Sequence, residues 1–143
     1  MLRLIIAAWC LVAATVIVHA AGLAVALRPM LRRAESVDVG FWPVTWLVIR
    51  TVCWLIVIHV VEIAVWALFY SWQRCLPDIE SSLYFAGVTY TTVGYGDLVL
   101  PKEWRLLGPV EGLAGILMCG LSTGFFFAMV SRIHEARTRA AKA

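Results

Sequence analysis

Residues 91–97 read TTVGYGD, with two glycines either side of one tyrosine, in a chain that is 62% hydrophobic. Gly94 and Gly96 open backbone conformations closed to other residues, so successive carbonyls can turn to one side. Carbonyls arranged in a ring can replace the hydration shell of a cation. A second group able to do chemistry is His59, Glu62 and Trp66, which share one helical stripe at spacings of three and four. Glu62 lies about 12 Å from the end of its apolar run and Glu111 about 9 Å into the next, so antiparallel helices would bring the two carboxylates to one depth. Ionisable side chains inside a membrane are costly and usually face the bundle interior or a cavity. His59, Glu62 and Glu111 therefore form either a hydrogen-bonded structural cluster or a set that shares a proton. A transition-metal site on the three is a further alternative. No nucleophile and base occur together with a plausible pocket, and no phosphate loop is present, so nothing points to an enzyme or to a cofactor.

The elements that must carry these residues are membrane elements. A mean hydropathy of +0.87 with only 15% charged residues is far from soluble-domain composition, and 143 residues make one compact unit. Three apolar runs, Leu4 to Leu27, Phe41 or Pro43 to Tyr70, and about Leu106 to Val130, are each long enough to cross a bilayer as a helix. The first also has features of a secretory signal peptide, with Arg3 as its charged start and Val18-His19-Ala20 as a loose cleavage site. The run continues past Ala20 and stops at Arg28, Arg32 and Arg33, which favours a retained helix. Residues 31–41 are short and mixed, and could lie flat on the inner surface. The net charge is only +3. Lys and Arg lie in short flanks with no basic face interleaved with aromatics, which argues against a nucleic-acid partner.

Charge near the ends of the spans sets the orientation. One side carries Arg28, Arg32, Arg33, Arg50, Arg132, Arg137, Arg139 and Lys142. The other has Arg3, Arg74, Lys102 and Arg105 among several acids. The C-terminal tail is expected inside, with the N-terminus and the segment from Trp72 to Arg105 outside. Trp42 and Trp46 at the inner boundary and Trp72 and Trp104 at the outer one fit interfacial belts. Trp9 and Trp54 read as bulky apolar residues. Cys10, Cys53, Cys75 and Cys119 have no metal-ligand spacing. Of these, Cys75 alone is placed for solvent access and for a disulfide between subunits.

Between the second and third runs, Pro77-Asp78-Ile79-Glu80 is a helix-start signature, because Asp78 can accept from amides two or three residues on. Glu80 suits the positive end of a helix. The adjoining SSLYFAGVTY is too short to span and reads as a half-helix that dips in and stops. Carbonyls left unpaired at membrane depth are tolerated only where they line a water- or ion-filled path. The negative end of the half-helix dipole would favour a cation there.

Thr92-Val93-Gly94-Tyr95-Gly96-Asp97 matches the potassium-channel selectivity-filter signature TVGYGD without a mismatch. The order helix, half-helix, filter, helix is similar to that of the channel pore module. Over residues 43–132 the chain resembles the short bacterial members of the ion-channel family, and the first helix lies outside the resemblance. The resemblance implies an all-α membrane protein in which the last two of three transmembrane helices flank a re-entrant pore half-helix and filter. Residues 1–28 would be the extra N-terminal helix, 29–42 a cytoplasmic linker and 133–143 a short cytoplasmic tail. Within the module, the outer helix would span 43–70, the pore helix 78–91, the filter 92–97 and the inner helix 106–131. The resemblance further implies a passive potassium-selective channel in which the carbonyls of Thr92, Val93, Gly94 and Tyr95 hold K+ and Gly96 shapes the outer turn. One loop per chain implies a homotetramer, multi-pass in the cell membrane, for a bacterial protein the plasma membrane. The alternative is a non-conducting subunit that regulates another membrane protein, and the intact glycines argue against it.

The sequence departs from the family pattern behind the filter. Many members carry a carboxylate at the position of Val88, where it pairs with the filter aspartate. Asp97 must find another partner, and Tyr84 is the candidate. In the last helix Gly112, Gly115, Gly120 and Gly124 allow close packing, and Gly120 lies about where such channels carry a hinge glycine. Leu117, Leu121, Gly124 and Ala128 could line a cavity, with Phe125 or Met129 as an apolar constriction. The cluster of His59, Glu62 and Glu111 is a candidate for pH-dependent gating. No voltage-sensing Arg array is present, and the stimulus and any regulatory partner are not written in the chain.

Overall fold

The computed structural model describes residues 1–32 and 40–140. They form four helices: α1 (Leu2–Arg32), α2 (Phe41–Trp72), α3 (Ile79–Tyr90) and α4 (Leu107–Ala140). Leu2–Arg28 of α1, Phe41–Trp72 of α2 and Leu107–Glu135 of α4 are long and apolar enough to cross a membrane. The surface segment expected over residues 31–41 lies mostly outside the described residues. Pro43 sits in the first turn of α2, where its missing N–H has no helical acceptor to serve in any case. α4 does not stop near 131 as expected but continues to Ala140. Residues 131–140 are mostly Ala, Arg and Glu, with no Gly or Pro to end the helix.

Local chemistry ends α2 and starts α3. Arg74 takes a left-handed conformation (φ 53°), and the amides of Arg74 and Cys75 turn back to the carbonyls of Ser71 and Tyr70 at 3.0 and 2.9 Å. This is a Schellman stop with arginine in the usual glycine place. Asp78 then caps α3, its Oδ1 accepting from the Ser81 amide at 2.7 Å. That bond holds the Asp78 carboxyl below its ordinary range. Cys75, expected at the surface, is buried between these elements, while Cys10, Cys53 and Cys119 are exposed. Burial raises the Cys75 thiol pKa. The tight Schellman turn folds Cys75 back under the helix end, which removes it as a site for a disulfide between subunits.

α1 runs antiparallel to α2, because successive contacts pair rising α1 numbers with falling α2 numbers. The Trp66 indole donates to Thr15 Oγ1 at 3.0 Å. His19 meets Glu62. Gly22 lies so close to Ile58 that a Cβ would come within 2.5 Å of it. The Trp54 indole donates to the Gly22 carbonyl at 2.9 Å, a specific bridge where only bulk was expected. α3 wedges between α2 and α4. Its Phe85 packs edge-on against Tyr70 with ring centroids 5.4 Å apart, within a core that includes Trp66, Ala86, Tyr90, Leu107 and Met118. Trp104 packs edge-on against Phe69 with ring centroids 5.3 Å apart.

The glycines of α4 divide by environment. A Cβ on Gly115 would lie 2.0 Å from the Tyr90 carbonyl oxygen, and one on Gly112 would lie 3.4 Å from that of Thr89. Cβ atoms on Gly120 and Gly124 would meet nothing within 4 Å. Gly115→Ala should therefore destabilise the detergent-solubilised protein by about 1–3 kcal/mol. Gly120→Ala should leave it unchanged or stabilise it by up to about 1 kcal/mol through helix propensity. Denaturant titration followed by circular dichroism reads both.

Candidate functional site

α3 ends at Tyr90, and residues 92–96 beyond it have a backbone of alternating hand. Thr92, Gly94 and Gly96 have φ of 62°, 54° and 78°, whereas Val93 and Tyr95 stay at negative φ. In an ordinary strand successive residues face opposite ways. Alternating left- and right-handed residues can bring their carbonyls to one side, and glycine at two of the three left-handed positions makes this cheap. Thr92 does the same with a β-branched side chain, a strained conformation that needs support from its surroundings. The support is local. The Thr92 amide donates to the Thr89 carbonyl at 2.9 Å, and the Gly94 amide to the Val88 carbonyl at 3.0 Å. The Thr91 hydroxyl donates to the Gly87 carbonyl at 2.7 Å. Val88, which has no carboxylate to offer, backs the segment through its main chain.

At the outer end of the segment the Tyr84 hydroxyl donates to Asp97 Oδ2 at 2.8 Å. The other oxygen of Asp97 accepts from the Leu98 amide at 3.1 Å. Residues 91–97 are all exposed in the single chain.

A second site lies behind α3. Glu62 is fully buried. Its Oε1 meets His19 Nδ1 at 2.9 Å, and its Oε2 meets His59 Nδ1 at 3.0 Å. It also accepts a short hydrogen bond from the Tyr90 hydroxyl. The far nitrogen of His59, Nε2, lies 3.0 Å from Ser122 Oγ on α4. One carboxylate thus joins all four helices. His59 and Glu62 come together as the spacing predicts, but Glu111 does not join them. It pairs instead with Tyr70, whose hydroxyl donates to Glu111 Oε2 at 2.7 Å. The two carboxylates sit at different depths because α2 runs on to Trp72 and α4 starts at Leu107. Glu62 is then about 15 Å from its helix end, whereas Glu111 is only about 6 Å into α4.

His19, Tyr90 and Ser122 are the members that sequence reasoning missed. Leu11, Thr15 and His19 repeat every four residues and are all buried, a periodicity that marks the packing face of α1. His19, His59 and Glu62 each offer a ligand atom within 4.8 Å of the others. Three donors already engage the Glu62 oxygens, however. Coordination through Nδ1 would also leave His19 Nε2, buried without a partner among the described residues, as an unsatisfied N–H. The group is a hydrogen-bond node built on a carboxylate.

On α4, Leu117, Leu121, Gly124 and Ala128 form an exposed face with Gly120 beside it, and Phe125 is half-buried. Met129, expected at a constriction, is instead buried and accepts from the Thr51 hydroxyl at 3.3 Å. The α2–α4 contact turns it away from the exposed face.

The ion-channel family matches residues 44–132, from just inside α2 through most of α4. No curated protein and no solved structure matches the chain. The matched stretch holds α3, the segment of alternating hand and two of the three apolar helices, and with α1 it makes a multi-pass membrane protein. On that match, the chain belongs to the ion-channel family.

Proposed function

We propose that the chain is a potassium-selective channel that conducts K+ passively through a homotetrameric pore in the cell membrane. In this reading α3 is a re-entrant pore helix between the outer helix α2 and the inner helix α4. The carbonyls of Thr92, Val93, Gly94 and Tyr95, with the Thr92 hydroxyl, hold the ion, and Gly96 shapes the outer turn. The observation that carries the reading is the alternation of positive φ at Thr92, Gly94 and Gly96 directly after a short helix. Carbonyls so arranged suit a dehydrated cation, and the negative end of the α3 dipole favours one nearby. A single chain supplies one side of such a site, and its exposed residues 91–97 leave room for further copies around an axis. Leu117, Leu121, Gly124 and Ala128 then line the inner cavity, Phe125 narrows it, and Gly120 is free to bend.

Flux from liposomes carrying the purified protein tests the reading. Potassium efflux should exceed sodium efflux and be blocked by barium. Absence of potassium flux at every pH and voltage would overturn it in favour of a non-conducting subunit.

Two substitutions sharpen the test. Gly94→Ala places a Cβ at φ +54°, at a cost of about 1–2 kcal/mol in every copy, and should lower potassium flux by about tenfold or more while the protein still assembles. Tyr84→Phe removes the donor to Asp97 without changing shape. Macroscopic current should then decay faster and discriminate less well against sodium, and unchanged decay and selectivity would show that Tyr84 only packs.

A further inference from the structure

Tyr90 is the last residue of α3 and lies two positions before Thr92. It is held from both sides: its carbonyl lies against Gly115 of α4 so closely that only glycine fits, and its hydroxyl reaches back to Glu62 of α2. We propose that the Tyr90–Glu62 hydrogen bond positions the base of the filter, and that a proton on His59 sets the strength of this tether. The proposal rests on the channel reading above.

The chemistry is set by the protons each group can donate. An ionised carboxylate only accepts, so both imidazoles must present Nδ1–H to Glu62. His59 then has a bare Nε2, which accepts from the Ser122 hydroxyl at 3.0 Å. In this state the Tyr90 hydroxyl donates to a carboxylate that carries full charge, and charge-assisted hydrogen bonds are roughly twice as strong as neutral ones.

A proton arriving at His59 Nε2 changes three things. Ser122 must turn from donor to acceptor, so α4 registers the event. The imidazolium neutralises the carboxylate. Its Nδ1–H, already on Glu62 Oε2 and 3.1 Å from the Tyr90 hydroxyl, becomes a charged and stronger donor that takes a larger share of the oxygen Tyr90 uses. The tether is therefore strongest with neutral His59 and weakens when His59 takes a proton.

His59 is the proton acceptor on geometric grounds. Its side chain is 19% exposed and that of His19 only 2%. Protonated His59 finds Ser122, whereas protonated His19 would leave Nε2–H buried with no partner among the described residues. The other titratable groups facing the cluster are Glu62 itself on α2, Tyr90 on α3, and Cys119 on α4 within electrostatic reach of Glu62. Glu111 acts on Tyr90 from farther out, and Tyr70 engages it.

The test uses the purified tetramer in planar bilayers with equal pH on both sides. Between about pH 8 and about pH 5 the lifetime of the conducting state of the parent should shorten about fivefold to tenfold. That factor corresponds to loss of charge assistance in one hydrogen bond. In His59→Gln the amide still donates to Glu62 but cannot take a proton, so the lifetime should stay long and independent of pH. In Tyr90→Phe it should be short and independent of pH. A His59→Gln protein that keeps the parental pH curve, or a Tyr90→Phe protein that retains any pH dependence, overturns the proposal.

Infrared difference spectra between the same pH values read the network without current. The Glu62 carboxylate band and the Tyr90 C–O band should shift in the parent and not in His59→Gln, with Tyr90→Phe identifying the tyrosine band. If the parent passes no potassium, the channel reading fails alone when these bands shift, and the tether fails with it when they do not. The same spectra on His59→Gln decide the matter should Tyr90→Phe not assemble.

Discussion

α3 is 12 residues long, and the last carbonyls of a helix have no partner within it. Much of the architecture comes from satisfying and holding that end. The carbonyls of Gly87, Val88 and Thr89 are taken up by Thr91, Gly94 and Thr92, so the segment that leaves the helix is also the segment that caps it. The Tyr90 carbonyl is instead covered by α4 at Gly115. A helix that must approach a carbonyl this closely needs a glycine there whatever its own propensity. The strained φ of Thr92 is stored in the same place, between a capped helix end behind it and two glycines ahead.

Holding the end of α3 from the other side requires a polar group deep among apolar helices, and Glu62 is that group. A lone carboxylate there would be prohibitive, but hydrogen bonds from His19, His59 and Tyr90 give both its oxygens partners. This explains why α1, which lies outside the matched family segment, is packed as a structural part of the molecule. His19 supplies one of the three donors, Thr15 satisfies the indole of Trp66, and Gly22 lets the helices close to the distance that both contacts need. Helix association without a hydrophobic driving force relies on small residues and interhelical hydrogen bonds of this kind.

The sequence made the unusual backbone of residues 91–97 legible because glycine at alternate positions beside a short apolar helix points to positive φ. The Asp78 cap was legible for a similar reason: it depends on residues adjacent in the chain. The partnering of the buried groups was much less so. His59 and Glu62 share a helix face and could be paired by spacing, but His19 sits 43 residues away from Glu62, on a helix whose face is marked only by Leu11, Thr15 and His19. Glu111 was misplaced by depth, because a difference of two or three residues in where helices end moves a side chain by about 3–4.5 Å along the axis, more than half a turn. Met129 was misplaced by rotation, since the side of α4 that meets α2 cannot be told from periodicity in a helix apolar all round.

The two carboxylates of the interior illustrate how environment separates like groups. Among the described residues Glu111 has one donor, Tyr70, and an oxygen left over. Glu62 has three donors from three helices. Removing one bond at Glu111 affects a contact between α2 and α4 alone. Any change at Glu62 is felt at once by α1 through His19, by the end of α3 through Tyr90 and, by way of His59 and Ser122, by α4. A network in which each member's donor or acceptor role depends on its neighbour's cannot be altered at one bond alone. The group best placed to link α1, α2 and α4 to the end of α3 is therefore the one that sequence spacing only half revealed.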